Sequence, residues 1–119
     1  MNANRADSQA RSMLPRRAVT AGEVAARSEK ALGPLPRGWV WHGIYAYSVG
    51  LGFPPEWADC DAVEVSRGGK AELRSGMVFH CSTSIRDPLR VGMTCSETVL
   101  ITERGCEVLT DLPRELFRR

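Results

Sequence analysis

Three side chains in the middle of this chain have the chemistry for polar binding or proton transfer. Tyr47 offers a phenol that donates a hydrogen bond to a carboxylate or carbonyl. His80 offers an imidazole, a group whose ordinary pKa of about 6.5 suits a general acid or base. Glu97 offers a carboxylate that can hold a cationic nitrogen. These three are the candidate catalytic residues.

Each candidate also has a purely structural interpretation. Tyr47 fits a half-buried strand aromatic whose hydroxyl bonds a backbone group. A lone histidine such as His80, on an apolar strand, is often a core residue with its hydrogen bonds satisfied. Glu97 fits a solvated strand position. The sequence leaves both interpretations open for all three residues.

The segment Ala46 to Gly50 nearly matches the G-x-S-x-G nucleophile elbow, with Ala at the first position. That motif places its serine at a turn from a strand into a helix. Here residues 50–57 form a predicted loop with two Gly and two Pro, so no helix follows the serine. We therefore reject a serine hydrolase.

One helix and several strands must position the candidates. Thr20 and Glu23 have the spacing of a capping box, and Gly33 can take a left-handed conformation before Pro34, so we predict a helix from Ala21 to Leu32. Aromatic and β-branched segments predict strands at residues 39–49, 62–65, 77–83, 91–95, 98–102 and 106–109. Between them we expect a polar turn region at 66–75, a loop at 85–90, a hairpin turn at 103–105 with Gly105 left-handed, and a last helical turn at 111–113. One helix followed by an antiparallel sheet is an α+β fold.

Composition limits the class of protein. A chain of 119 residues has room for one domain, and a net charge of +2 is too small to indicate nucleic acid. Residues 1–37 carry +4 and residues 38–119 carry −2, so we predict a disordered basic tail at 1–18 and a folded domain at 19–119. No apolar run approaches the roughly 20 residues of a membrane span, and no secretory signal is evident. We expect a cytoplasmic protein without a membrane partner.

The four cysteines do not form a metal-binding pattern. No two of them have the C-x-x-C spacing; they are Cys60, Cys81, Cys95 and Cys106. His80 and Cys81 are adjacent, but neighbouring strand residues point to opposite faces and cannot share one metal. We predict buried, reduced thiols.

Three segments resemble, in order and spacing, the last three active-site segments of the pita-bread (M24) hydrolases. They are Ala46 to Trp57, Gly76 to His80 and Ser96 to Thr102. That family includes aminopeptidase P, prolidase, methionine aminopeptidase, creatinase and the ectoine hydrolases. The resemblance covers roughly Ala18 to Phe117, which is most of the chain, and corresponds to about the C-terminal half of a family catalytic domain. It implies a partial pita-bread fold, in which one helix precedes a curved, mainly antiparallel sheet.

The resemblance also implies that the metal ligands of the family's peptidases are replaced. Tyr47 stands at the position of the metal-binding histidine, and Ser82 and Ser96 stand at those of the two glutamates. A neutral phenol and two hydroxyls cannot neutralise a pair of divalent cations. Glu97 cannot substitute for Ser96, because adjacent strand residues face opposite sides. We expect no metal and no other cofactor.

The replacing residues resemble those of the ectoine hydrolases and of their creatinase-like and Xaa-Pro peptidase-like relatives. This implies descent from a metal-independent C–N hydrolase of small zwitterionic or X-Pro-like substrates, with Tyr47, Ser82 and Ser96 contacting the substrate. We expect a truncated or split hydrolase that is inactive alone. The alternative is a non-catalytic module that binds a small ligand or a protein in the inherited cleft.

A sheet covered by one helix has more apolar surface than that helix can bury. We therefore expect an exposed apolar face and an unpaired strand edge. A second copy, giving a homodimer, or the missing complementary half would cover them.

Overall fold

A computed structural model describes residues 19–51, 63–113 and 115 of the chain. Within these ranges the elements are β1 (Val19–Thr20), α1 (Ala21–Leu32), β2 (Val40–Trp41), β3 (Ala46–Ser48), β4 (Glu64–Val65), β5 (Glu72–Leu73), β6 (Val78–Asp87), β7 (Val91–Thr102) and β8 (Gly105–Val108). The predicted α+β class, with one helix and an antiparallel sheet, is confirmed. The predicted tail at 1–18, most of the predicted loop at 50–57, and Cys60 lie outside the described residues.

The strands form two antiparallel sheets. The larger has the order β4-β3-β6-β7-β8, with β2 pairing beside β6 beyond the end of β3. The smaller pairs β1 with β5. Strand β6 is central, because it pairs with β7 over its whole length and with β3 and β2 on its other side.

Helix α1 begins and ends where the local sequence predicts. The Glu23 N–H donates to Thr20 Oγ1 (3.3 Å) and the Thr20 N–H donates to Glu23 Oε2 (3.0 Å), which completes the capping box. At the other end the Gly33 N–H donates to the Glu29 carbonyl (3.0 Å). Gly33 has φ +68° and ψ −171°, a region of backbone space that is almost confined to glycine. This differs from the left-handed helical conformation that we predicted there.

The first turn of α1 rests directly on the turn that links β4 and β5. The Ala21 N–H donates to the Ala71 carbonyl and the Gly22 N–H to the Gly69 carbonyl, both at 2.8 Å. A Cβ at Gly22 would lie 2.8 Å from the Gly69 oxygen, so this approach requires glycine. The turn thereby fixes the position of the helix over the sheet.

The core lies between α1 and one face of the larger sheet. Val24 and Ala25 of the helix are fully buried against it. The sheet contributes Phe79 of β6 and Val99 and Ile101 of β7, which are likewise at most 1% exposed. These positions alternate along each strand, so the residues between them point to the opposite face.

The β6–β7 hairpin is longer than predicted. The predicted loop at 85–90 and the break between 95 and 98 are both wrong, because β6 continues to Asp87 and β7 runs unbroken from Val91. Ile85, paired with Met93, is buried and keeps the alternation intact. The turn is confined to residues 88–90, where Leu89 has φ +66°.

Three further sequence predictions need correction. The polar region 66–75 contains strand β5, which exists because Leu73 is buried opposite Val19. Residues 111–113 form no helical turn. The hairpin turn before β8 is present, but Gly105 has φ +146°, a positive value that favours glycine and lies far from the left-handed helical value of about +57°.

Candidate functional site

The sheet face opposite α1 is lined by polar side chains, and no helix of the described part of the chain covers it. We call it the open face. Strands β6 and β7 contribute to it at alternate positions, as their pairing register requires. Its central polar residues are His80, Ser82 and Ser84 of β6 and Thr94, Ser96 and Thr98 of β7. The exposed apolar face that we expected is therefore not found here. Most apolar side chains of β6 and β7 point to the face that α1 covers, which we call the helix side.

A row of four side chains crosses the open face from strand to strand. Glu64 of β4 pairs with Tyr47 of β3, Tyr47 with His80 of β6, and His80 with Thr98 of β7. Directly paired residues in an antiparallel sheet have Cα atoms about 4.5–5.5 Å apart and point to the same face. The row thus joins a carboxylate, a phenol, an imidazole and a hydroxyl in one line.

The central pair of this row is in ring contact. The Tyr47 and His80 ring centroids lie 5.2 Å apart, with 45° between the ring planes. Both residues are half-buried, so part of each side chain remains accessible to a ligand. His80 is not a core histidine, because it points away from the helix side. The structure therefore brings together two of the three predicted catalytic residues.

The two predicted substrate-binding serines lie beside this row. Ser82 and Ser96 are paired with each other, two residues along the hairpin from His80 and Thr98. One step further, the Ser84 and Thr94 hydroxyls are hydrogen-bonded at 3.0 Å. The open face is thus rich in hydroxyls next to the Tyr47–His80 pair, which suits a ligand with several hydrogen-bonding groups.

A cationic group lies at the far end of the open face. The Arg86 Nη2 atom is 3.3 Å from the His42 Nδ1 atom, and both residues are exposed. Glu64 stands at the other end, also exposed. The face therefore has a negative end, a neutral hydroxyl-lined middle and a positive end.

Glu97 is not part of this arrangement. It points to the helix side, where it is 5% exposed and is paired with Cys81. Its interpretation as a solvated strand residue is wrong, and it does not share a face with Tyr47 and His80. Its predicted catalytic role stays a prediction, but the geometry does not join it to the other two residues.

Burial on the helix side suppresses ionisation of the Cys81 thiol. Burial raises the pKa of the Cys81 thiol to about 12, and the nearby Cys106 and Glu97 charges act in the same direction. Such a thiol is neutral and unreactive at physiological pH. Among the described residues, Cys81, Cys95 and Cys106 are not joined by disulfide bonds.

The donor atoms of the open face do not fit the pair of divalent metal ions that the resemblance implies for the peptidases. No group of three His, Cys, Asp or Glu side chains that could hold a metal occurs in the described residues. At the central positions His80 is accompanied by hydroxyls, which remain protonated and neutral at pH 7.

Sequence reasoning missed two members of the row, Glu64 and Thr98. Each is separated from Tyr47 and His80 by many residues, and only the strand register makes them neighbours. The alternation within β7 was the one available signal. If Ser96 faces the ligand, then Thr98 faces the same way.

A curated relative shares clear sequence similarity with part of the chain. The ectoine hydrolase of Halomonas elongata is 36% identical over 73 residues, which are 60% of this chain and 17% of that enzyme. No family model matches the chain.

Solved structures share the fold over nearly all of it. A dipeptidase from Pyrococcus horikoshii superimposes with a TM-score of 0.75 at 16% identity, covering 96% of this chain and 30% of that enzyme. A prolidase from the same organism gives a TM-score of 0.74 at 22% identity, covering 97% of this chain and 32% of the prolidase. The chain thus spans less than a third of the length of these proteins. Of the residues that the structure describes, none forms a helix long and apolar enough to span a membrane. Taken together with the sequence similarity, this fold establishes that the chain is related to the pita-bread (M24) hydrolases and corresponds to one part of them.

Proposed function

We propose that this chain supplies one wall of the substrate cleft of a metal-independent C–N hydrolase of the ectoine hydrolase type. The row formed by Glu64, Tyr47, His80 and Thr98 on the open face is the observation that carries this proposal. The similarity to ectoine hydrolase supports the substrate class, a small zwitterionic or cyclic compound such as ectoine. The wall is inactive until the complementary part of the fold closes over it.

The charges of the open face suit a zwitterion. Glu64 attracts the cationic nitrogen of the substrate, which is the role that the sequence had suggested for Glu97. Tyr47 and the serine hydroxyls donate hydrogen bonds to its carboxylate or carbonyl oxygen. Since these groups are exposed or half-buried, each is accessible to a ligand.

His80 is the candidate proton-transfer group. Hydrolysis of a C–N bond consumes one water: its oxygen bonds to the carbon, and the departing nitrogen gains a proton. His80 takes the proton from the attacking water and returns one to the nitrogen. The Tyr47 ring, in contact with the imidazole, limits how far it can rotate.

Calorimetric titration of the purified chain with ectoine, and separately with an X-Pro dipeptide, tests the binding part of the proposal. We expect millimolar binding that is weakened in Tyr47→Phe and in Glu64→Gln. Glu103→Gln, in the exposed β7–β8 turn, serves as the matched control and should bind like the unaltered chain. Absence of heat with both ligands, or equal binding by all variants, would contradict the proposal.

Turnover measurements test the second part. The chain alone should leave ectoine intact, with or without Mn²⁺, Co²⁺ or Zn²⁺, as followed by mass spectrometry. Hydrolysis by the chain alone would show that no complementary part is needed.

A second candidate function is a ligand-binding module without catalysis. It is favoured by the row itself, in which, among the described residues, the strand partners of His80 are a phenol and a hydroxyl rather than a carboxylate. The two candidates differ in the effect of His80→Gln on the protein assembled with its complementary part. In the hydrolase this variant abolishes turnover and leaves binding largely intact, whereas the module shows no turnover even before the substitution.

A further inference from the structure

The outer edge of β7 is unpaired over more than half of its length in the described part of the chain. Strand β8 pairs with β7 only from Val99 to Thr102. At Thr98 the neighbouring segment still contributes, since the Leu109 N–H donates to the Thr98 carbonyl (2.8 Å) and the Thr98 N–H donates to Thr110 Oγ1 (2.9 Å). Residues 111–113 then leave the sheet. The open edge is therefore the window of residues 91–97.

The backbone groups that point outward from this window follow from the register. The N–H and C=O of Thr98 point away from β6, and strand geometry repeats every two residues. The same groups of Gly92, Thr94 and Ser96 therefore point outward. All three residues are exposed, and no strand lies beside them among the residues described.

Residues 91–96 of this window lack the features that keep another strand from pairing, and Glu97, its one charged residue, is 5% exposed and points to the helix side. Natural edge strands are commonly protected by a charged side chain, a proline or a bulge. Residues 91–96 contain no charged residue and no proline, and their one-to-one register with β6 excludes a bulge. Val91 and Met93 are in addition 51% and 42% exposed on the helix side.

We propose that this edge pairs with the same edge of a second copy of the chain, antiparallel, about a two-fold axis at Thr94. Thr94 is the midpoint of the window 91–97, so this register uses the whole open edge. Gly92 then lies opposite Ser96 of the partner subunit, and Thr94 opposite Thr94 of the partner subunit. Three outward N–H and three outward C=O groups in each copy pair completely, giving six hydrogen bonds.

The side chains are compatible with this register. Antiparallel pairing about Thr94 places even-numbered residues opposite even-numbered residues, and odd-numbered opposite odd-numbered. The helix sides of both copies therefore lie on the same side of the combined sheet. Met93 lies opposite Cys95 of the partner subunit, and both are partly exposed in the single chain. No like charges meet, because the paired segment is neutral as far as residue 96. The two open faces become continuous across the interface, which places two Tyr47–His80 pairs on one surface.

Charged substitutions of Thr94, which lies on the two-fold axis, test whether the proposed dimer forms. Light scattering and sedimentation of the unaltered chain at about 0.1 mM, in reducing buffer, should show a dimer. Thr94→Lys and Thr94→Glu should each weaken dimerisation by roughly tenfold, since identical charges then face each other. Mixing the two variants should restore the dimer. Leu89→Lys and Leu89→Glu, at the exposed hairpin turn, are the matched controls and should leave association unchanged.

A disulfide tests the register. Met93 and Cys95 of the partner subunit form a non-hydrogen-bonded pair, whose Cα separation of about 4.5 Å is within disulfide range. On mild oxidation Met93→Cys should give a dimer linked to Cys95, identified by peptide mapping, whereas Val91→Cys should not. A monomeric unaltered chain, charge variants that dimerise normally, or a Val91→Cys link to Cys95 would each overturn the proposal.

Discussion

The contact between α1 and the β4–β5 turn yields a prediction in which two physical effects oppose each other. Gly22 is the second residue of the helix, and alanine is favoured over glycine in a helix by up to about 1 kcal/mol. Helix propensity alone therefore predicts that Gly22→Ala stabilises the protein. The structure predicts the opposite. An added Cβ would lie 2.8 Å from the Gly69 carbonyl oxygen and 3.1 Å from the Gly69 nitrogen.

Both of these atoms belong to the backbone, so no side chain can rotate to relieve the clash. Overpacking of this kind costs roughly 1–3 kcal/mol. It also disturbs the 2.8 Å hydrogen bond from the Gly22 N–H to the Gly69 carbonyl. The weakened hydrogen bond costs about 1 kcal/mol and so offsets the gain in propensity, and we expect Gly22→Ala to lower the free energy of unfolding by about 1–3 kcal/mol. For a domain of this size that loss lowers Tm by at least about 4 °C.

Thermal unfolding followed by circular dichroism measures this effect. Ala26→Gly, at an exposed position of the same helix, is the matched control, because there the change involves propensity alone. Ala26→Gly should lower the free energy of unfolding by about 1 kcal/mol, because glycine is a poorer helix former than alanine. A Tm of Gly22→Ala equal to or above that of the unaltered chain would refute the close packing of α1 on the turn.

Two further perturbations probe the helix start and the helix side of the sheet. Thr20→Ala removes the acceptor for the Glu23 N–H and should lower the free energy of unfolding by about 1 kcal/mol in urea titrations, while Thr20→Ser should retain most of it. The raised pKa of Cys81, about 12 against an ordinary 9.0, means that between these pH values the folded protein keeps a proton that the unfolded chain releases. Stability from this group is complete below pH 9 and is lost as the pH rises towards 12. Urea unfolding across this range should therefore show a steeper loss in the unaltered chain than in Cys81→Ala, and parallel curves would contradict the burial of this thiol.

The helix could be predicted to the residue because its signals are local. A capping box needs two residues three apart, and a terminating glycine acts through its own backbone. Both ends of α1 lie where Thr20 and Gly33 place them. The strand boundaries were less accurate. The polar residues Arg86 and Asp87 indicated a loop, yet both belong to β6, because pairing with β7 supplies hydrogen bonds that local sequence does not reveal.

The site was partly predictable for the same reason. Tyr47, His80, Ser82 and Ser96 were identified from their types and from the resemblance, and the register places all four on the open face. Glu64 could not be identified, since its proximity to Tyr47 depends on a strand pair that spans 17 residues of sequence.

The sequence by itself determined that Ser96 and Glu97 face opposite sides, because side chains alternate along any strand. It also determined the helix, through the capping box of Thr20 and Glu23. Only the tertiary structure decided which side of β7 the helix covers, and hence that Glu97 is buried while Ser96 is exposed. The tertiary structure likewise decided that, among the residues described, no strand pairs with the outer edge of β7 from residue 91 to 97, because β8 pairs only with residues 99–102. Packing and pairing join residues that are distant in sequence, so neither result is contained in any local pattern.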